Sequence, residues 1–352
     1  MRTIRLFTLL VAICFSHTTL SQTNKAEEKE KKVKILPVPA IGYAPETKTY
    51  FGAVALFVID PFQDSLTRPS NARIEFNYTL RNQSILEADW NSFSKQEKWY
   101  SEGILHFSKY PDFYYGIGSN TSEADEILFE SNRVRIETEL LRQVANRLFV
   151  GGGLRYLNYS KIAAEVPIVF GELIDAQNFG ITTSIFRDTR NSLLSASKGS
   201  YLRFDYGFNW GSSDYSKLKF DVRKYFTLPS GFVVANRVYN EFTLGTPNFY
   251  DYAIMGGDQF VRGYFLGRYR DLNLSTIQTE IRTPSWKKMG LAVIGGLSNL
   301  YGELDFMEQI RPNYGLGFRY LMDKENGVNL RFDYVLGDRE NNGFYISFGE
   351  SF

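Results

Sequence analysis

The segment Gly199-Ser-Tyr-Leu-Arg-Phe-Asp-Tyr-Gly-Phe-Asn-Trp210 decides the fold. From residue 202 to residue 210 every even position is apolar or aromatic, and the odd positions carry arginine, aspartate, glycine and asparagine. Successive side chains of a β-strand point to opposite faces. The pattern therefore predicts a strand with one apolar and one polar face.

The same alternation recurs at residues 73–80, 133–140 and 217–223. A soluble sandwich would bury such apolar faces against each other, with strands of about 5–6 residues. A membrane barrel would turn them toward lipid, with strands of about 9–11 residues around a polar interior. Most of the alternating segments here have about ten residues or more, the length of membrane strands. Charges of both signs on the polar parity can pair between neighbouring strands. The barrel is therefore favoured.

We predict an all-β fold, a transmembrane antiparallel β-barrel of about 16 strands. An even number is typical of closed bacterial barrels. The predicted strands lie near 38–43, 50–59, 71–79, 84–93, 97–107, 127–140, 146–159, 176–187, 199–210, 214–227, 231–243, 270–282, 290–300, 311–321, 328–336 and 343–352.

The connections between these segments alternate in length, which predicts the orientation of the barrel. Short turns at 94–96, 228–230 and 322–327 should face the periplasm, and longer loops near 108–126, 160–175, 244–269 and 301–310 should lie outside. The connection around Arg187-Asp188-Thr189-Arg190-Asn191 is long for the short-turn side.

The N-terminal residues predict export. Residues 1–22 combine Arg2 and Arg5 with a short apolar run, which is typical of a signal peptide and too short to span a membrane. A lipid anchor at Cys14 is the less favoured alternative, because bulky Ile13 precedes it. Residues 23–36 form a mixed-charge linker, with a docking tail as the alternative interpretation. The barrel is expected to cover residues 37–352.

The composition argues against several classes of function. The net charge of +1 gives no support for nucleic-acid binding. Once the signal is removed, His106 is the remaining histidine, so neither a catalytic triad nor a pair of metal-binding histidines stands out. Gly151-Gly152-Gly153 lacks the lysine and helix of a phosphate loop. We therefore expect no enzyme activity, no cofactor and no metal.

One long connection carries distinctive chemistry. Residues 255–264 read Met-Gly-Gly-Asp-Gln-Phe-Val-Arg-Gly-Tyr, and Gly-Arg-Tyr-Arg-Asp follows at 267–271. Glycines allow close backbone approach, and the guanidinium fork of an arginine suits a carboxylate. Long loops with such residues are often functional. The candidate motif is Gly256, Gly257, Val261, Arg262, Gly263 and Tyr264.

This motif resembles the central loop of the BamA/TamA outer-membrane assembly-factor family, also called the bacterial surface antigen family. The segments Pro39–Phe51, Tyr115–Gly118 and Arg187–Arg190, with Lys198-Gly199 beyond, agree with that family's style. The resemblance covers roughly residues 38–352. It implies that the loop folds into the barrel lumen, where its arginine meets acidic side chains of the following strands.

Glu280 is the candidate partner of Arg262, with pairing to Arg282 or a neighbouring strand as its alternative role. The next predicted strand departs from the family pattern, since Gly295-Gly296-Leu297-Ser298-Asn299 offers no carboxylate. One acidic partner of the loop is therefore expected to be missing. Family members usually carry periplasmic POTRA domains, whereas only the linker precedes the predicted barrel here. We expect a barrel-only member.

The resemblance implies a multi-pass protein of the bacterial outer membrane that assembles or translocates proteins or lipids through a lateral seam. The seam would lie between the first strand, with Pro39 and Gly42, and the last, with Phe348 and Phe352. A passive pore or structural barrel is the alternative. The expected partners are outer-membrane lipid and unfolded outer-membrane proteins or lipids as substrates. The sequence does not decide whether periplasmic partner proteins take part or whether the barrel forms a homo-oligomer.

Overall fold

β-strands dominate the part of the chain that the computed structural model describes. These residues are 33–44, 48–62, 64, 66–80, 82–122, 124, 126–164, 173–258, 260–302, 309–324, 327–339 and 341–352. The expected signal peptide and residues 23–32 of the expected linker lie outside them. Within these ranges, no helix combines the length and apolar character needed to cross a membrane.

Eighteen strands occur among the described residues, and sixteen of them form one sheet. The barrel strands confirm the predicted number and type, and each strand overlaps its predicted position. In chain order the strands are β1 Val33–Ala44, β2 Lys48–Ile59, β3 Ser70–Thr79, β4 Ser84–Phe93, β5 Trp99–Tyr114, β6 Ile127–Ala145, β7 Leu148–Ala164, β8 Ala176–Asp188, β9 Gly199–Gly211, β10 Tyr215–Thr227, β11 Val233–Gly245, β12 Ala253–Met255, β13 Tyr269–Asp271, β14 Asn273–Arg282, β15 Met289–Tyr301, β16 Arg311–Asp323, β17 Val328–Leu336 and β18 Asn342–Phe348.

The sheet follows chain order from β1 to β18, with every neighbouring pair antiparallel, and β12 and β13 pair separately. Among the described residues, the ladders end at β1 on one side and at β18 on the other. These end strands differ in length, at 12 and 7 residues. β1 also begins at Val33, so the first strand includes residues that the sequence had assigned to the linker.

The two faces of the sheet differ as the alternation predicted. Many large apolar side chains of the outer face are exposed, for example Leu316 at 68 % and Phe344 at 63 %. The inner face carries the arginines and carboxylates, many of them buried against each other. This arrangement suits lipid outside and a polar interior.

The prediction that the last strand continues to residue 352 is wrong. β18 ends at Phe348, and Gly349 has a φ of +72°, a left-handed conformation that side chains with a Cβ rarely adopt. The chain turns inward there, and Phe352 is buried against Ala196, Tyr225 and Ala235. Phe352 therefore lies neither on the lipid face nor in the seam.

Connections between strands alternate between two rims. The rim with the turns β4–β5, β10–β11 and β16–β17 is called the short-turn rim here. It also holds the longer connection of residues 189–198, between β8 and β9. The opposite rim holds the connection between β11 and β14, residues 246–272, which is called the lumen loop. The assignment of the short-turn rim to the periplasm stays a prediction.

Candidate functional site

The lumen loop folds back inside the barrel. Within it, β12 and β13 pair from Ala253 opposite Asp271 to Met255 opposite Tyr269. An apolar cluster joins this hairpin to the inner wall, and its buried members are Tyr239, Ala253, Met255, Val261, Tyr264, Tyr269, Leu274 and Leu300. Burial of so many apolar side chains favours an ordered loop over a mobile one.

Arg262 lies at the tip of the loop between two carboxylates. Its Nη2 lies 2.7 Å from Glu280 Oε2, and its Nη1 pairs with Asp333. The arginine is 1 % exposed and both acids are fully buried. Burial alone would lower the pKa of Arg262, but the two carboxylates raise it above its ordinary value. The guanidinium is therefore held charged in the interior.

Further ion pairs extend this contact into a network on β14, β16 and β17. Glu280 also binds Arg282 and Arg319, at 2.8 and 2.7 Å, and Arg319 binds Asp333 at 2.5 Å. Four arginines and four carboxylates take part. We call this set the tip cluster: Arg262, Arg282, Arg319, Arg331, Asp258, Glu280, Asp333 and Glu350. Its formal charges balance, which offsets the desolvation of each member.

The expected missing carboxylate is present, but on another strand. Arg262 has two acidic partners because Asp333 of β17 reaches it, whereas the residues of β15 opposite Glu280 are apolar or glycine. The sequence already places Asp333 on the inner face of its strand. Arg331 and Asp333 share the inner parity of residues 328–336, but parity alone does not say which strands the loop tip will meet.

Glycines on the inner face of β15 and β16 make room for the tip cluster and for other buried polar side chains. A Cβ at Gly317 would clash with Asp333 Oδ1 and Arg319 Nη1. At Gly296 it would clash with Gln278 and Asn313. Glycine in a strand interior weakens the strand, so its use here marks close approach of side chains.

The other motif residues fix the loop to the last strands. Tyr264 Oη donates to Pro312 O at 2.5 Å and accepts from Asp338 N at 2.9 Å. Gly263 N donates to Tyr345 Oη at 2.9 Å. Gly257 N donates to Tyr264 O within the loop, at 3.1 Å. Gly256 and Val261 are buried. The motif therefore positions the loop rather than presenting free groups.

The rest of the lumen loop is bound to its own rim, the one opposite the short-turn rim. Arg268 donates to Thr121 and stacks over Tyr115, 4.4 Å from the ring centre. Gly118 N donates to Arg270 O at 2.7 Å. The Phe249–Asp251 turn places Asp251 against Arg155 in a two-bond pair of 2.5 and 2.6 Å. Bidentate pairs of this kind hold both distance and orientation.

A cavity of about 410 Å³ remains beside the loop, against β3–β7, β10 and β11. Its walls carry acids and bases together with tyrosines of the loop and of the strands. They include Glu75, Glu87, Arg135, Lys217, Lys219, Glu241, Tyr159 and Tyr250. The lumen is thus filled on the β14–β18 side and open on the other.

His106 bridges two neighbours on the wall of this cavity. Its Nδ1 lies 2.9 Å from Glu87 Oε2, and its Nε2 lies 3.0 Å from Ser108 Oγ. The sequence did not predict this serine–histidine–carboxylate row. At His106 and Ser108, β5 pairs with β4 on one side and with β6 on the other. The backbone amides of these residues therefore belong to the sheet ladders. We expect the row to link two strands rather than to catalyse.

The remaining predicted seam residues lie on the end strands. Gly42 and Pro39 of β1 pair with Tyr50 and Ala53 of β2, and Pro39 is exposed. Phe348 ends β18 and packs against a cluster at the short-turn rim. Residues 33–44 and 342–348 therefore form the two edges of the sheet.

With these features in place, the comparisons assign the family. The model of the Omp85 superfamily domain matches residues 65–352. The chain belongs to the Omp85 superfamily. The resemblance inferred from the loop motif is thereby confirmed at superfamily level. None of the curated proteins matches the chain in sequence.

Solved structures share the fold of this Omp85 chain. The crystal structure of BamA from Haemophilus ducreyi lacking POTRA domains 1–3 matches with a TM-score of 0.56 and 14 % identity, over 90 % of this chain and 69 % of that one. CdiB from Acinetobacter baumannii matches with a TM-score of 0.58 and 16 % identity, over 90 % and 60 %. At these identities the likeness shows the fold alone.

Proposed function

We propose that this Omp85 barrel acts in the bacterial outer membrane, assembling or translocating proteins or lipids through a lateral seam between β1 and β18. Membership of the superfamily and the fold shared with BamA and CdiB support an assembly or translocation barrel. The work is non-covalent: an incoming strand pairs with an exposed edge.

The observation that supports a lateral seam is the difference in length between the two end strands, β1 and β18. The described ladders stop at β1 and β18, and β1 is longer than β18 by five residues (12 − 7). Unpaired backbone groups are costly within a bilayer, so an edge that lacks a partner favours strand addition. Pro37 and Pro39 supply no backbone N–H, which weakens any pairing across the seam.

A disulfide across the seam tests the proposal. One cysteine is placed in residues 38–43 and one in 343–347, in a Cys14→Ser background, and the protein is reconstituted in liposomes. Insertion of an unfolded outer-membrane barrel is then followed with the seam oxidised and reduced. We expect insertion to fall to the protein-free rate when the seam is locked and to return on reduction.

A passive pore is the second candidate, favoured by the charged cavity of about 410 Å³ beside the lumen loop. In the same liposomes, ion flux that is equal in both states, with insertion in neither, supports the pore and rejects the seam. A single cysteine on β1, without its partner on β18, controls for oxidation alone.

A further inference from the structure

The connection between β8 and β9 crosses the opening of the barrel at the short-turn rim. This connection, residues 189–198, is called the strap. Its base is closed by Asn191, whose Oδ1 accepts from Ser197 N and Lys198 N, both at 3.0 Å. The strap is thus a formed loop, and its length on this rim has a structural use.

The middle of the strap reaches the seam. Leu194 packs in an apolar cluster with residues from both edges of the sheet. Leu36, Leu56 and Val58 come from β1 and β2, and Val328 and Phe348 come from β17 and β18. The cluster that Leu194 joins therefore connects the strands on both sides of the position where the ladders end.

Polar contacts hold the strap in this position. Leu194 O accepts from Glu350 N at 2.7 Å, and Ala196 O accepts from Arg282 Nη1 at 2.9 Å. A Cβ at Gly349 would lie 2.7 Å from Leu194 O, so the turn after β18 is shaped to fit the strap. The strap is bound to the inward-turned segment that follows the last strand.

The same segment connects the strap to the tip of the lumen loop. Glu350 binds Arg319 of the tip cluster at 2.8 Å, and Ser351 Oγ donates to Asp258 O of the loop at 2.9 Å. Strap, chain end and loop tip therefore form one continuous set of contacts from the seam to Arg262.

We propose that the strap is a latch that holds the two edges of the sheet together at the short-turn rim. The apolar cluster that Leu194 joins takes the place of a backbone ladder there. A partly exposed ion pair, Lys34 with Asp323 at 3.6 Å, spans the same gap and contributes little by itself. If the seam opens in the proposed function, the strap must first move away from the opening at the short-turn rim. This consequence rests on the proposed function.

Spin-label distances across the seam test the latch without any substrate. Ile35 of β1 and Ile346 of β18 are both exposed on the outer face and are replaced by labelled cysteines in a Cys14→Ser background. Adding Leu194→Ala should lengthen and broaden the distance distribution, with a shift on the order of one strand spacing, about 5 Å. Leu228→Ala, in another turn of the same rim, should leave the distribution unchanged.

A second variant guards against a folding defect of Leu194→Ala. Asn191→Ala opens the base of the strap without touching the seam and should give a smaller shift in the same direction. Unchanged distances in the folded Leu194→Ala and Asn191→Ala proteins overturn the latch, as does an equal shift in Leu228→Ala. If the distances shift but the locked seam still inserts barrels, the latch stands and the proposed function falls.

Discussion

Two ion pairs, one from each half of the barrel interior, use the same residue types with different burial. On the β14–β18 side, Arg262, Glu280 and Asp333 are at most 1 % exposed and are enclosed by the lumen loop. On the cavity side, Arg135 pairs with Glu137 while its side chain remains 43 % exposed. Coulomb energies rise as water is excluded, and so does the penalty for an unpaired charge. Enclosure by the loop therefore makes each charge of this wall depend more strongly on its partners.

The largest expected difference between the two halves follows from removing one arginine from each. Arg262→Ala removes one positive charge from the tip cluster. Glu280 and Asp333 each lose a buried partner, and the cluster then carries a net negative charge. We expect a loss of about 3–5 kcal/mol in the free energy of unfolding. Arg135→Ala removes a half-exposed pair and should change it by about 0–1 kcal/mol.

Urea unfolding in detergent micelles, followed by tryptophan fluorescence, measures both variants. Equal losses for Arg262→Ala and Arg135→Ala would contradict the distinction between the halves. Arg262→Lys separates charge from geometry, since lysine cannot bind both carboxylates as a planar fork does. It should recover only part of the lost stability.

A smaller effect is expected from filling the space beneath the tip cluster. Gly317→Ala places a methyl group against Asp333 and Arg319, and such overpacking costs about 1–3 kcal/mol. Gly295→Ala on β15 is the matched control, because nothing lies within 4 Å of its new Cβ. The same unfolding measurement applies, and a Gly317→Ala protein as stable as Gly295→Ala would show that the cluster is not closely packed.

Alternation was sufficient to predict the sixteen barrel strands, because a side chain's face depends only on its parity within a strand. It also brought Glu280 to the inner face, where the structure places it against Arg262. Asp333 was missed because its meeting with Arg262 depends on how far the lumen loop descends. That depth is set by packing of residues distant in sequence, such as Tyr264 against Pro312 and Asp338.

The end of the chain shows a second limit of pattern reading. Residues 343–352 alternate well enough to predict one strand, but Gly349 allows a turn that the contacts of Glu350 and Phe352 then stabilise. The long connection at residues 189–198 is an exception to the length rule. Its place in an apolar cluster with residues of both end strands could not be inferred without knowing that these strands meet at this cluster.

A small effect, comparable to that of Arg135→Ala, is expected at His106 on the cavity side. Serine nucleophiles in hydrolases need donors for the oxyanion as well as a histidine, and the neighbouring amides of β5 lie in sheet ladders. Ser108 should therefore show no labelling by a fluorophosphonate probe above that of Ser108→Ala. His106→Gln should change the free energy of unfolding by about 1 kcal/mol, since it removes one or two partly exposed hydrogen bonds. Labelling that is lost in Ser108→Ala, His106→Gln and Glu87→Gln alike would instead reveal a nucleophile, and the cavity side would then be the chemically active half of the barrel.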